Sequence, residues 1–241
     1  MEEIKIIIPA RLASTRFPGK VLADLNGQPV IQWVYEGSKY DGIEINVATP
    51  DKEIADTVEG FGGEAILTPE FPTLMDRCSW AAKEIKLIHP NVAEFIIVQG
   101  DEPMVRPAMI NLIVKAKGNS CLVGKISAKE NSRDPNMVKI LVDKYMQIMY
   151  TSRLPLPGRT PENEKLNPKP ITYKQVCIMK FSSFHMLGYG KLQQTEIEKS
   201  EGIDIIRCLE NGWLINGVVS PYITQAVDVP EDLERVKELL S

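Results

Sequence analysis

The chain has 241 residues, 28 Lys and Arg against 32 Asp and Glu, a net charge of −4, 44% apolar residues and 25% charged ones. Such a length supports a large α/β domain with its own core. The mild acidity excludes the broad basic surface that nucleic acid or an anionic membrane would select.

The first run, Ile4 to Ile8, is apolar apart from Lys5, stops at Pro9 and predicts a buried strand. It is too short for a secretory segment or a membrane span, and the expectation is a protein of the reducing cytoplasm. Then come a helix over 29–39, a strand over 43–48, a helix over 52–61, a strand over 64–67, a helix over 76–88 and a strand over 94–98. This alternation predicts right-handed βαβ units and a mainly parallel sheet. After residue 119 the rhythm changes. Strands over 121–127, 138–143 and 147–150 lack intervening helices, which predicts an antiparallel elaboration within 120–222 of a single domain spanning 1–241. Five prolines between 154 and 170 predict an extended surface loop. A strand over 171–181, one helix over 197–209, a strand over 214–219 and an amphipathic helix over 230–240 complete the chain.

Three segments could carry chemistry. The loop IPARLASTRFPGK, residues 8–20, follows the first strand, and open α/β sheets bind ligands at the carboxyl ends of their strands. Between Ile4 and Ala23 lie Lys5, Arg11, Arg16 and Lys20 and no acid. With the small residues Ala10, Ala13, Ser14 and Gly19 these form a candidate polyphosphate cradle, or equally a surface loop with solvated basic side chains. The loop is neither G-x-G-x-x-G nor G-x-x-x-x-G-K-[ST], which disfavours a dinucleotide-binding domain and a Walker-type NTPase.

FIIVQGDEPMV, residues 95–105, ends an apolar strand in carboxylates that could hold a divalent cation against phosphate, or merely form a turn before a helix starting near Pro107. In QAVDVPEDLERV, residues 225–236, Asp228 and Glu231 flank Pro230 as a capping box would; the functional alternative is a second carboxylate for a cation held by Asp101. Cys78, Cys121, Cys177 and Cys208 are scattered without a Cys-x-x-Cys pair and there are only two histidines, so a zinc site is disfavoured. His89 reads as a loop residue, His185 as packing, and Trp33, Trp80 and Trp213 as core.

In their order along the chain, IPARLASTRFPGK, QGDEP, PNMVKIL with YTSRLPLP, and VDVPEDLERV resemble the 3-deoxy-manno-octulosonate (Kdo) cytidylyltransferase family. The resemblance implies a Rossmann-like nucleotidyltransferase fold, with a mainly parallel mixed sheet and a smaller antiparallel region that pairs two subunits. It implies a reaction for surface polysaccharide assembly, in which a hydroxyl of a small acidic sugar attacks the α-phosphorus of CTP, giving a CMP-sugar and pyrophosphate. Arg11, Ser14, Arg16 and Lys20, with Ala10 and Thr15 alongside, match the family's triphosphate-holding positions. Arg77 lies in its base-proximal segment, and Gln99 matches a position near the nucleotide and sugar. Asp101 and Asp228 match its Mg²⁺ ligands and, with Arg16 and Lys20, its catalytic set. Arg153 matches the Ser-Arg pair of its sugar-side loop, and Gln175, Met179, Glu201 and Asp204 fall on the acceptor side. No histidine base is required, because charge neutralisation dominates such transfers.

The chain departs from the family where it reads Phe71-Pro72-Thr73-Leu74-Met75 in place of His-x-Ser-Gly-Thr, and Gln175, Cys177, Met179 in place of His-x-Gly-x-Tyr. These replacements predict a shifted acceptor preference. The rival readings are transfer to an unrelated acceptor or from another NTP, and a nucleotide-binding paralogue without activity.

Overall fold

The computed structural model describes residues 3–126, 133–158, 160–166 and 171–240. Its first half follows the alternation: β1 (Glu3–Pro9), α1 (Val30–Ser38), β4 (Ile45–Thr49), α2 (Lys52–Gly60), β5 (Glu64–Leu67), α3 (Leu74–Ile88), β6 (Val92–Val98) and α4 (Pro107–Lys115). A small hairpin of β2 (Asp24–Leu25) and β3 (Gln28–Pro29), closed by Asn26 and Gly27 at positive φ, precedes α1. The second half contributes β7 (Ser120–Lys125), β8 (Lys139–Val142), β9 (Ile148–Ser152), α5 (Pro161–Leu166), β10 (Tyr173–Ser182), α6 (Ser183–Tyr189), α7 (Glu196–Glu201), α8 (Ile205–Glu210), β11 (Asn216–Ser220) and α9 (Pro230–Leu240).

One mixed sheet runs through both halves in the order β11-β7-β10-β6-β1-β4-β5, with β8 and β9 branching from β10. Only β10 runs against its neighbours on the main path; β8 and β9 add the antiparallel branch. Alternation along β1 explains the two layers of core. Ile6 and Ile8 pack with Val30, Ile31 and Val34 of α1 on one face, whereas Ile7 packs with Cys78, Ala82 and Ile85 of α3 on the other. All three isoleucines are fully buried, and each such side chain contributes about 1.5–3 kcal/mol.

Two expected elements differ. The helix expected over 197–209 is two, because Gly202 takes φ 62° and ends α7, whose start carries a capping box of Thr195 and Glu198. The proline-rich stretch contains the short helix α5, with Pro161 at its first position; residues 159 and 167–170 of that stretch, and Ser127 at the end of an expected strand, lie outside the described residues. Among the described residues, no helix is long and apolar enough to cross a membrane.

Candidate functional site

The carboxyl ends of β1 and β6 are adjacent in register, so the loops after them share one edge of the sheet. Gly100 makes this approach possible: a Cβ there would lie 2.9 Å from the Pro9 carbonyl oxygen. The loop after β1 is pinned at both ends. Leu12 N–H donates to the Asp51 carboxylate at 2.7 Å, and Gly19 N–H to the Leu12 carbonyl at 3.0 Å. Gly19 sits at φ 71° and turns the chain into the single 3-10 turn of Lys20–Leu22.

The C-terminal segment closes the same edge, since Val227 N–H donates to the Asp101 carbonyl at 2.9 Å. That contact delivers Asp228 beside Asp101. Lys20 Nζ donates to Asp101 Oδ2 at 2.5 Å and to Asp228 Oδ1 at 3.0 Å, all three side chains being mostly buried. Burial works to lower the Lys20 pKa, but the two carboxylates overcome it and hold the ammonium above its ordinary value. Arg16 donates Nη2 to Asp228 at 2.9 Å and Nη1 to the Asn136 side-chain oxygen.

Asp228 therefore does not cap α9. Its own backbone N–H and that of Val229 donate to the Asp232 carboxylate at 2.9 and 3.0 Å, so Asp232, one residue past Glu231, satisfies the helix entrance. The expected capping box is replaced, and Asp228 is released to the basic loop.

These groups open onto a cleft of about 1190 Å³ that Ala10, Arg11, Ser14, Thr15, Arg77 and Gln99 also line. Arg77 is the anomaly. It is 2% exposed, and its Nε and Nη2 have no hydrogen-bond partner among the described residues. Burial, with Arg11 adding to it, pulls its pKa below the usual guanidinium value. Buried guanidinium N–H groups without partners are costly unless a ligand supplies acceptors.

The far wall carries the acceptor-side candidates. Gln175 and Met179 lie on β10 and face the cleft, with Gln175 Nε2 3.7 Å from Met179 Sδ. Asp204 also lines it, accepts from Met75 N–H at 2.9 Å, and is pushed up to about 6, mainly by burial, with Glu198 adding. Arg153 reaches the cleft, yet its Nε, Nη1 and Nη2 donate to the carbonyls of Glu201, Pro135 and Gly202. Glu201 is not a lining residue. Its carboxylate accepts from Ser152 Oγ and Arg153 N–H at 2.6 and 2.9 Å, so it holds the end of β9 instead of facing a ligand. Sequence reasoning missed Glu102, a cleft-floor carboxyl that burial pushes up to about 8, and Arg207, which is buried behind the wall and paired with Asp76 and Glu198. The acid after Asp101 was a visible signal; nothing local marked Arg207.

His185 packs edge-on against Trp213 at 4.6 Å, and His89 lies 3.5 Å from Glu3 on the surface, away from the cleft. All four cysteines are free thiols.

For a divalent cation the donor set is suitable. Two carboxylates already converge on one cationic group, Lys20 Nζ, and the buried Asp101 Oδ1 has no partner among the described residues. One or two carboxylates plus phosphate oxygens are a usual environment for Mg²⁺.

Comparison with known proteins shows the family. The family model described as cytidylyltransferase matches residues 5–218. The 3-deoxy-manno-octulosonate cytidylyltransferases of Trichlorobacter lovleyi and Geobacter metallireducens are each 36% identical to this chain. The matches cover 98% and 99% of it and 98% of each relative. A solved structure of CMP:2-keto-3-deoxy-manno-octonic acid synthetase complexed with CTP matches with a TM-score of 0.86 at 32% identity, over 99% of this chain and 98% of its own. A 4-diphosphocytidyl-2C-methyl-D-erythritol synthase structure from Anaerococcus prevotii, at 14% identity and a TM-score of 0.64 over 99% of this chain and 98% of its own, shares the fold.

Proposed function

The chain belongs to the cytidylyltransferase family that includes the 3-deoxy-manno-octulosonate enzymes, and from that premise we propose that it transfers CMP from CTP to Kdo or a closely related sugar acid. The observation that carries the reading is the convergence of Lys20, Asp101 and Asp228 at the sheet edge, in a cleft also lined by a buried Arg77 whose Nε and Nη2 have no acceptor among the described residues.

In this reaction an acceptor hydroxyl oxygen bonds to the α-phosphorus and gives its proton to solvent, while the bond from that phosphorus to the α,β-bridging oxygen breaks and pyrophosphate leaves with its electron pair. Arg11, Arg16 and Lys20 hold the triphosphate and offset the charge that builds on it, with Ser14 and Thr15 donating alongside. Arg77 offers its free N–H groups to a ligand oxygen or ring nitrogen, which suits the acceptor edge of a cytosine. Asp101 and Asp228 would hold Mg²⁺, which when bound neutralises phosphate charge and acidifies the attacking hydroxyl. Gln99, which lines the cleft, stands near both nucleotide and acceptor. Gln175, Met179 and Asp204 present an amide, a thioether and a carboxylate to the sugar acid, and the first two set its preference.

The reading also includes a homodimer built through β9. That strand is laddered only to β8 among the described residues, apart from Ile148 N–H donating to the Ile215 carbonyl at its start, and Met149 is exposed on it. Use of CTP and four free thiols support a cytoplasmic setting.

Pyrophosphate release from each NTP with Mg²⁺, across a panel of acidic sugars including Kdo, tests the reading. Release with CTP and one of these acids is expected. CTP binding without turnover on any acid would favour a binding module.

A further inference from the structure

Lys139, at the start of β8, is 1% exposed, and its ammonium has no carboxylate partner within salt-bridge distance among the described residues. Its Nζ donates instead to two main-chain carbonyls, Asp134 at 2.5 Å and Arg153 at 2.6 Å. Burial pulls its pKa below the ordinary lysine value. Asp134 and Glu201 add favourable charge nearby, but a buried ammonium whose described hydrogen bonds go to carbonyls is still an expensive device, so what it fixes is informative.

The two carbonyls belong to segments 19 residues apart in the chain, and both residues line the cleft. Asp134 starts a turn in which its Oδ1 accepts from Asn136 N–H at 2.8 Å, and the Asn136 side chain accepts from Arg16 of the basic loop. Arg153 returns to the same turn by donating Nη1 to the Pro135 carbonyl at 2.8 Å. A continuous chain of hydrogen bonds thus runs from Lys139 through the 134–136 turn to Arg16, and from Arg16 to Asp228 at 2.9 Å. Asn136 is exposed, so the turn has little apolar burial of its own to hold it.

We propose that Lys139 is a positioning residue for nucleotidyl transfer: by clamping the 134–136 turn to Arg153 it holds Asn136 against Arg16 and so sets the basic loop for the triphosphate. This rests on the proposed cytidylyl transfer only for the identity of the nucleotide. The clamp acts on nucleotide affinity through Arg16, and on the acceptor through the Arg153 backbone. A loop displaced by about 1 Å can lower turnover by about 10²-fold.

The test is a double-mutant cycle on the full chain with CTP and Mg²⁺, reading the CTP dissociation constant by calorimetry and kcat and KM by pyrophosphate release. Lys139→Met and Asn136→Ala are each expected to weaken CTP binding about tenfold, and the double variant no more than either alone, because both break one chain. Lys139→Arg, which keeps donors for both carbonyls, is expected to recover part of the loss. Additive effects in the double variant, or a KM increase confined to the acceptor, would overturn the clamp. If Lys139→Met does not fold, the exposed Asn136→Ala decides alone: unchanged CTP affinity and KM refute the proposal. A wild-type protein that binds CTP without releasing pyrophosphate would refute the proposed reaction while the binding cycle still tests the clamp.

Discussion

Lys20 Nζ lies 2.5 Å from Asp101 Oδ2, a contact between residues 81 positions apart that joins the loop after β1 to the loop after β6. The same ammonium reaches Asp228, brought in from a third segment. A cation and two carboxylates thus stand at the point where three loops meet, which is where a metal-bridged triphosphate would need both signs of charge. The arrangement is balanced in the free protein, and its parts can be removed one at a time.

Asp101→Asn and Asp228→Asn should each lower pyrophosphate release by at least about 10²-fold, the scale of losing one preorganised electrostatic group. In either variant one carboxylate still pairs with Lys20, so the melting temperature should stay within a few degrees of wild type. Undiminished turnover would show that the carboxylates hold no catalytic metal.

Arg77→Met should make the free protein more stable while weakening CTP binding. The substitution removes a buried guanidinium whose Nε and Nη2 are unpartnered and replaces it with a side chain suited to burial. Thermal melting with and without CTP measures both effects. A gain in melting temperature without CTP and a smaller CTP-induced shift are expected; the opposite pattern would mean that Arg77 supports the fold.

Gly100→Ala tests the close approach of the two loops. Its Cβ would stand 2.9 Å from the Pro9 carbonyl oxygen and 3.3 Å from Ile31 Cδ1, so the β6 loop must move and carry Asp101 with it. Activity should fall by an order of magnitude or more, accompanied by a stability loss of about 1–3 kcal/mol measured by urea titration. Normal activity would show that the loop spacing has slack.

The pH dependence of stability should carry the mark of Asp204. Its carboxyl is raised to about 6 by burial, above its unfolded value near 3.8, so between those pH values the folded state binds more protons than the unfolded one. The contribution is full below about pH 4 and is lost as pH rises through 6. Asp204→Asn, whose side-chain oxygen can still accept from Met75 N–H, should flatten the curve in this window and be the more stable protein at pH 7. Denaturant midpoints from pH 4 to 7 check it; parallel curves for the two proteins would contradict the assignment.

Local pattern carried much of the fold. The Ile6, Ile7, Ile8 run predicted a strand buried on both sides, and it has α1 on one face and α3 on the other. The apolar pattern over 197–209 runs through Gly202 and so predicts one helix, whereas the left-handed turn there separates α7 from α8. Asp228 shows the limit more sharply. By sequence it satisfied a capping box, a local rule that needs no knowledge of the rest of the chain. Its actual partners, Arg16 and Lys20, lie 212 and 208 residues away.

The sequence by itself determined the alternation of strands and helices, the basic loop free of acids, and the family to which its motifs point, because each is written in the spacing and type of neighbouring residues. Tertiary structure alone decided that Lys20 stands between two carboxylates, that Arg77 is buried with Nε and Nη2 unpartnered among the described residues, that Glu201 turns away from the cleft, and that Lys139 donates to two carbonyls. Burial and pairing depend on residues that the chain brings together only when the sheet closes. Their energies belong to the assembled site and to no segment of it.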